Sequence, residues 1–239
     1  MSIKTFKHSG DMGDVIYSLP AIKKLGGGIL YLDKGLIERC DGGFFMKMCM
    51  LSKLREPQIK LLKPLLDSQD YIKEVKIWDG EEVDYDFTIR YNVIRGIRNL
   101  VENHMRCFNL PKYDETKKWL SVKPKKVAKV IFSRSSRNHN KDFNWKTIWK
   151  KYHKDAVFVG LPSEWEKFQK KVGKVKYYKV KDFLELARVI EGAELFVGNQ
   201  SSPYAIAEGL KKKAILEVYP KVPNCIFDRP NLMKVKKLK

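Results

Sequence analysis

Two carboxylates and two glycines are packed into His8-Ser9-Gly10-Asp11-Met12-Gly13-Asp14-Val15, a turn that follows a strand-like run over Ile3–Lys7 and opens a helical run over Val15–Leu25. In an α/β sheet such a turn sits at the carboxyl end of a strand, where ligands bind, and its glycines allow close backbone approach. An aspartate here has two chemistries open to it. It can cap the helix by accepting bonds from free backbone N–H groups, the commoner role, or it can act as a general base against a substrate hydroxyl. The turn alone favours the cap.

Other turns carry anion-binding chemistry. Ser133-Arg134-Ser135-Ser136-Arg137-Asn138-His139-Asn140-Lys141 follows a strand and sets arginine forks, a lysine and hydroxyls at its end, a composition suited to phosphate oxygens; His139 is read as incidental. Gly198-Asn199-Gln200-Ser201-Ser202-Pro203 leads from a strand into a helix. It either caps that helix in the ordinary way, with Pro203 in the first turn, or offers N–H groups and serine hydroxyls to a phosphate. Gly160-Leu161-Pro162-Ser163-Glu164 closes another strand and could shape a base pocket. Glu217 either accepts ribose hydroxyls, as acidic residues do in nucleotide folds, or is an edge charge. Asp84-Tyr85-Asp86 has a metal-binding pattern, but it alternates with Val83 and Phe87 in a partly buried strand. It is read as a strand end with solvated carboxylates, and no metal is assigned.

The elements that must position these turns follow from periodicity. In the first half, strands are expected at 29–32, 71–78 and 83–89, with helices at 59–66 and 91–110; the latter carries a basic face of Arg90, Arg95, Arg98 and Arg106. Residues 33–43 read as a loop and 44–54 as apolar, Met-rich packing. Beyond a polar stretch bounded by Pro111 and Pro124, strands at 127–133, 156–159, 175–180, 195–198 and 214–218 alternate with helices at 145–152, 163–172, 182–190 and 202–210. Ser163 and Glu166 fit a capping box. Such alternation means a parallel sheet covered by helices. The expected domains are residues 1–123, residues 124–222 and a basic tail over 223–239 that folds back on the first domain.

The chain of 239 residues carries 48 Lys+Arg against 28 Asp+Glu, a formal +20. A lysine-rich surface can serve solubility alone; an excess this large favours a polyanionic partner, most often nucleic acid. No apolar run approaches the ~20 residues that cross a bilayer, and Asp11 and Asp14 fall where the apolar part of a signal peptide would lie. Cys40, Cys49, Cys107 and Cys225 are scattered and are read as reduced thiols of a cytoplasmic protein.

Gly13-Asp14-Val15-Ile16 followed by Leu19-Pro20-Ala21-Ile22 resembles the N-terminal signature of heptosyltransferase-type enzymes, glycosyltransferase family nine. Asn144-Trp145-Lys146, Val159-Gly160-Leu161-Pro162-Ser163-Glu164, Phe183-Leu184-Glu185-Leu186-Ala187 and the run from Phe196 through Ser201 to Leu210 extend the likeness over nearly the whole chain. The resemblance implies a GT-B architecture, α/β with two Rossmann-like domains whose parallel sheets face across a cleft. It also implies metal-independent, inverting transfer from a nucleotide-diphospho-sugar, taken as a UDP-sugar. Asp14 then matches the base that deprotonates the acceptor, which reverses the local preference for a cap; Asp11 is an extra carboxylate that rivals it. Ser201 and Ser202 would hold the donor diphosphate, and Arg134, Arg137 or Lys141 would balance leaving-group charge. Ser133, Gly160, Asn199, Gln200 and Glu217 complete the expected donor side; His8, Gly13 and Arg95 are placed on the acceptor side. The chain departs from the family in reading Asn199-Gln200-Ser201-Ser202 where an Asp-Ser-Gly-like turn is usual, and it is short.

A compact enzyme of this charge fits DNA better than a glycan. The expected acceptor is therefore a hydroxymethylpyrimidine, 5-hydroxymethylcytosine by preference, modified by a virus-encoded, monomeric enzyme in the host cytoplasm. A lipopolysaccharide or capsular glycan acceptor, and a GT-B-like protein that only binds nucleic acid, are the alternatives.

Overall fold

The computed structural model describes residues 2–34, 54–88 and 98–235. The expected loop and apolar stretch at 33–54, Cys40 and Cys49, and Arg90 and Arg95 fall wholly or mostly outside them. The chain divides into two compact units, Met1–Tyr113 and Asp114–Lys239.

Unit 1 is built on β1 (Lys4–His8), β2 (Gly28–Leu32), β3 (Ile72–Ile77) and the short β4 (Tyr85–Asp86), in the spatial order β3-β2-β1-β4. Every pairing in it is parallel. Helix α1 (Met12–Lys24) is buried continuously from Val15 to Ile22, so it is an interior element rather than an amphipathic cover. Its return to β2 needs glycine. Gly27 has φ +72°, and a Cβ there would lie 2.1 Å from the Tyr71 carbonyl oxygen. Helix α2 (Glu56–Asp67) buries Ile59, Leu62, Leu65 and Leu66 on one face, the helical spacing read from the sequence. Of the helix expected at 91–110, residues 91–97 lie outside the described residues, and helix α3 spans Leu100–Cys107. Asn99 caps it by accepting from the Glu102 N–H at 2.9 Å. Phe6, Tyr85, Phe87, His104 and Phe108 join β1, β4 and α3 in one aromatic cluster.

Unit 2 alternates β5 (Val130–Ser133), α4 (Trp145–Tyr152), β6 (Ala156–Phe158), α5 (Pro162–Lys171), β7 (Lys176–Tyr177), α6 (Phe183–Gly192), β8 (Leu195–Asn199), α7 (Ser202–Gly209), β9 (Ala214–Glu217) and β10 (Leu232–Val235). The spatial order β10-β9-β8-β5-β6-β7 is all parallel. Counted from β5 it reads 3-2-1-4-5-6, the doubly wound dinucleotide-binding order. One face packs Phe132, Phe143, Trp145, Phe158 and Phe168 into an aromatic core.

The described residues differ from expectation at three points. The units part at Tyr113, because Trp119 and Leu120 donate to the Gly209 carbonyl and Lys125 donates to that of Arg188; this segment belongs to unit 2. The described part of the tail is built into unit 2: β10 pairs with β9, and Arg229 holds the buried Glu208 at 3.1 and 2.9 Å. On α5 the capping carboxylate is Glu164, which accepts from the Leu161 N–H at 3.0 Å, rather than Glu166.

Candidate functional site

In an open parallel sheet, the crevice for ligands forms where the strand order reverses, outside the carboxyl ends of the strands. Unit 1 has that point between β1 and β4, and unit 2 has it between β5 and β8. The predicted residues gather at these two places.

At the first, β1 ends in His8 and the chain turns through Ser9 and Gly10 into α1. Asp11 occupies the N-cap position with φ −57° and ψ 158°, yet its carboxylate makes no capping bond. Asp14 lies in the first helical turn and is half-buried, as is Asp11. The Asp11 side chain is therefore not the cap that the turn alone favoured. Ser9 Oγ lies 3.2 Å from Thr88 Oγ1, which ties the turn to the segment following β4. Sequence reasoning missed this Ser9–Thr88 contact, because it depends on the pairing of β1 with β4.

His8, expected beside the acceptor, is fully buried. Its Nδ1 accepts from the Gly10 N–H at 3.0 Å and its Nε2 lies 3.3 Å from His104 Nε2. The Gly10 bond puts the proton of the neutral ring on Nε2, which donates to His104. His8 therefore shapes the turn from below. Gly13 lies within α1, half-exposed.

The carboxylates of Asp84 and Asp86 are both engaged rather than merely solvated. Asp84 accepts from Thr5 N and Oγ1, at 2.8 and 2.9 Å. Asp86 pairs with Lys7 at 2.8 Å. Burial pushes the Asp86 pKa up, but the Lys7 pair and the Thr88 bonds outweigh it and hold the group below the usual carboxylate range. These contacts pin β4 to β1.

At the second point, the loops after β5 and β8 are clasped together. Asn199 is fully buried. Its Oδ1 accepts from the Ser135 N–H at 2.9 Å, and its Nδ2 donates to Ser135 Oγ at 3.0 Å and to the Arg137 carbonyl at 2.5 Å. Asn138, at φ +57°, donates to the Gln200 carbonyl at 3.1 Å. Gln200 in turn donates to the Val222 carbonyl and accepts from the Tyr219 N–H. Asn199 and Gln200 thus hold the two loops together, with Ser135, Ser136, Arg137, Ser201 and Ser202 partly or fully exposed along them, while Lys141 lines a separate groove at the start of α4. Ser201 turns its hydroxyl back to the Asn199 carbonyl at 3.1 Å and makes no capping bond, so the opening turn of α7 has no side-chain cap. Ser202 is half-exposed, whereas Ser133 is buried within β5.

Glu217 and Arg134 depart from their expected roles. Glu217 is fully buried and accepts four bonds, from Arg134 Nε and Nη2, Asn140 N and Trp145 Nε1. Each oxygen takes two, which leaves no free acceptor for a ribose hydroxyl. Arg134 is held by this pair and supports the loop. A cavity of ≈ 250 Å³ lies beside it, lined by Ser135, Ser136, His139, Glu164, Lys167 and Lys171 among others. Gly160, at φ +146°, accepts from Tyr177 Oη at 2.8 Å near this opening.

Parallel sheets of these orders, with carboxylates at one switch point and a clasped pair of hydroxyl-rich loops at the other, define the α/β fold of the GT-B glycosyltransferases. Similar solved structures give that fold particular examples. One is the E. coli heptosyltransferase WaaC with ADP-2-deoxy-2-fluoro heptose, at TM-score 0.57 and 12% identity, matched over 96% of this chain and 91% of that one. A glycosyltransferase of family nine from Veillonella parvula gives TM-score 0.62 and 10% identity over 98% and 87%. The dodecameric, iron-containing glycosyltransferase TibC from enterotoxigenic E. coli gives 0.54 and 11% over 98% and 63%. No family model and no curated protein sequence matches the chain. Among the described residues, no helix is long and apolar enough to cross a membrane.

Proposed function

We propose that this protein is a glycosyltransferase that moves a sugar from a nucleotide-diphospho-sugar to a hydroxyl acceptor. The observation that carries this reading is the Asn199 clasp, which sets the loops after β5 and β8 side by side at the switch point of a doubly wound sheet. That geometry presents hydroxyls and free helix N–H groups where a diphosphate binds in such sheets. Ser201, Ser202 and Lys141 take the donor phosphates. Asp14 removes the acceptor proton; the acceptor oxygen attacks the anomeric carbon as its bond to the diphosphate breaks, and the configuration inverts. Charge on the departing nucleoside diphosphate is balanced by Lys141 and the start of α7, a contribution largest where water is excluded. No metal enters these steps, so a chelator leaves the rate unchanged.

WaaC and TibC have been solved with ADP-linked sugars, which places ADP-sugars beside UDP-sugars as donors to test. For the acceptor, the net charge of +20 supports a polyanion, and the reading is a 5-hydroxymethylpyrimidine in DNA, presented by flipping the base from the stack. A lipopolysaccharide or capsular glycan is the competing outcome.

Calorimetric titration with ADP-, UDP- and GDP-sugars tests the donor assignment. One of them saturates the wild type and binds Asn199→Ala more weakly. Absence of binding by all three contradicts the proposal.

A further inference from the structure

Between Lys141 and Lys181 the sequence places 12 lysines and no arginine against only 4 acidic residues, and unit 2 folds this stretch into adjoining elements. A groove with a cavity of ≈ 560 Å³ lies where the start of α4 meets the end of α5, lined by Lys141, Lys146 and Lys171 among others. Trp149 seats α4 against the turn after α5: its Nε1 donates to the Lys174 carbonyl at 2.8 Å, and its ring fills the space that a Cβ on Gly173 would need. Two lysine rows therefore run on neighbouring elements. Lys146 and Lys150 stand at i,i+4 on α4; Lys167 and Lys171 stand at i,i+4 on α5, followed by Lys174.

All five are exposed, and none has an ion-pair partner among the described residues. Like charges at this spacing weaken a helix, where opposite charges support it. Unit 1 follows the opposite rule: Lys60, Lys63 and Arg106 each meet a carboxylate at i,i+4. Of the acidic groups on these elements, the exposed Glu166 stands at i,i+4 to Lys170, a residue of neither row. Glu164 is engaged by the Ser136 and Leu161 N–H groups, while Asp142 is the one acidic member of the cavity lining. Solubility calls for cations on a surface, not for repulsive i,i+4 rows set on two adjacent helices.

We propose that this face of unit 2 docks the phosphodiester backbone of a nucleic acid, through Lys146, Lys150, Lys167, Lys171 and Lys174. Flexible ammonium groups suit phosphates as point charges and carry no base readout, so the contact is independent of sequence. A bilayer surface would call for an apolar face beside the charges, and Leu161 is the one large apolar side chain exposed along these helices. The inference deepens the DNA-acceptor reading and rests on it for its purpose, but it is tested by binding rather than by turnover.

The test is fluorescence anisotropy of a labelled DNA duplex across a salt series, for the wild type and for K146Q/K150Q/K174Q. Lys171 is kept because it also lines the cavity beside the donor loops. The log–log salt slope of the wild type is steep, and the triple variant flattens it by about 3, near 0.9 per lost phosphate contact. The variant keeps the wild-type melting temperature and nucleotide-sugar binding. An unchanged slope, no binding of DNA by the wild type, or preference for phosphatidylserine vesicles over DNA each overturns the proposal. Steep, lysine-dependent binding without sugar transfer to any DNA leaves the docking surface standing and removes the acceptor reading. Sugar transfer to DNA with an unaltered slope does the reverse.

Discussion

Arg134 and Glu217 form a two-point ion pair, Nε to Oε2 at 2.9 Å and Nη2 to Oε1 at 2.8 Å, that joins the loop after β5 to the last residue of β9. Trp145 Nε1 and the Asn140 N–H occupy the remaining acceptor positions at 2.7 and 2.8 Å. A charge buried this fully persists only because each lone pair is satisfied. The pair sets the path of the Arg134–Lys141 loop, and with it the wall of the candidate donor crevice.

Removing one partner strands the other. Glu217→Ala is expected to lower unfolding free energy by about 3–5 kcal/mol, read from urea denaturation. It also weakens nucleotide-sugar binding, because the loop loses its anchor. A variant that unfolds like the wild type would refute the anchoring role.

Asp14→Asn keeps the shape of the first turn of α1 and removes the base. Its kcat is expected to fall by roughly 10²–10⁴-fold with little change in melting temperature. Asp11→Asn, at the N-cap position but making no capping bond, has the smaller effect. Rate measurements on the two single variants separate them; a larger loss in Asp11→Asn would move the base to that residue.

Asn199→Ala opens the clasp between the two donor loops. Leaving Ser135 N–H and the Arg137 carbonyl without this partner costs about 1–3 kcal/mol. The donor KM is expected to rise more than kcat falls, since the crevice is loosened and the base is untouched. Steady-state kinetics with varied donor concentration check the split.

Acid stability follows from Glu185. Its hydrogen bond with Lys125, then the Lys181 N–H, lower its pKa from the ordinary 4.5 to about 2. The folded state thus binds this proton less tightly than the unfolded chain does. The stabilisation is complete above pH 4.5 and is lost as pH falls through 2. The melting-temperature gap between wild type and Glu185→Gln should be widest near neutral pH and close towards pH 2. A gap that does not depend on pH would assign the effect to packing.

Much of the fold is legible before the structure. The buried strands of unit 2 and helices α4 and α7 announce themselves through apolar runs, caps and prolines, and α4 falls at the expected 145–152. β10 does not, because Leu232–Val235 is a short segment among lysines that becomes a strand only by pairing with β9. The same limit applies to the site. Asp14, Ser201 and Ser202 stand on strand-to-helix turns, but position alone reads them as caps, and only the family resemblance proposes them as site residues. The Glu217 knot and the Asn199 clasp are contacts across 83 and 64 residues, so their acceptors read as ligand groups until the fold assigns them internal partners. His8 misled for a similar reason: its place on the turn suggested the acceptor, while its burial is set by α3 and His104.

The most direct measurement of the central claim is a transfer assay read by mass spectrometry. The purified protein is given hydroxymethylcytosine DNA, hydroxymethyluracil DNA, unmodified DNA and an anionic glycan acceptor, each with ADP-, UDP- and GDP-sugars, with Asp14→Asn in parallel. The account predicts a gain of one sugar mass on a hydroxymethylated nucleoside, lost in Asp14→Asn. A gain on the glycan alone would contradict the DNA acceptor and keep the enzyme class; no transfer or donor cleavage with any pair, from a folded protein, would contradict the glycosyltransferase itself.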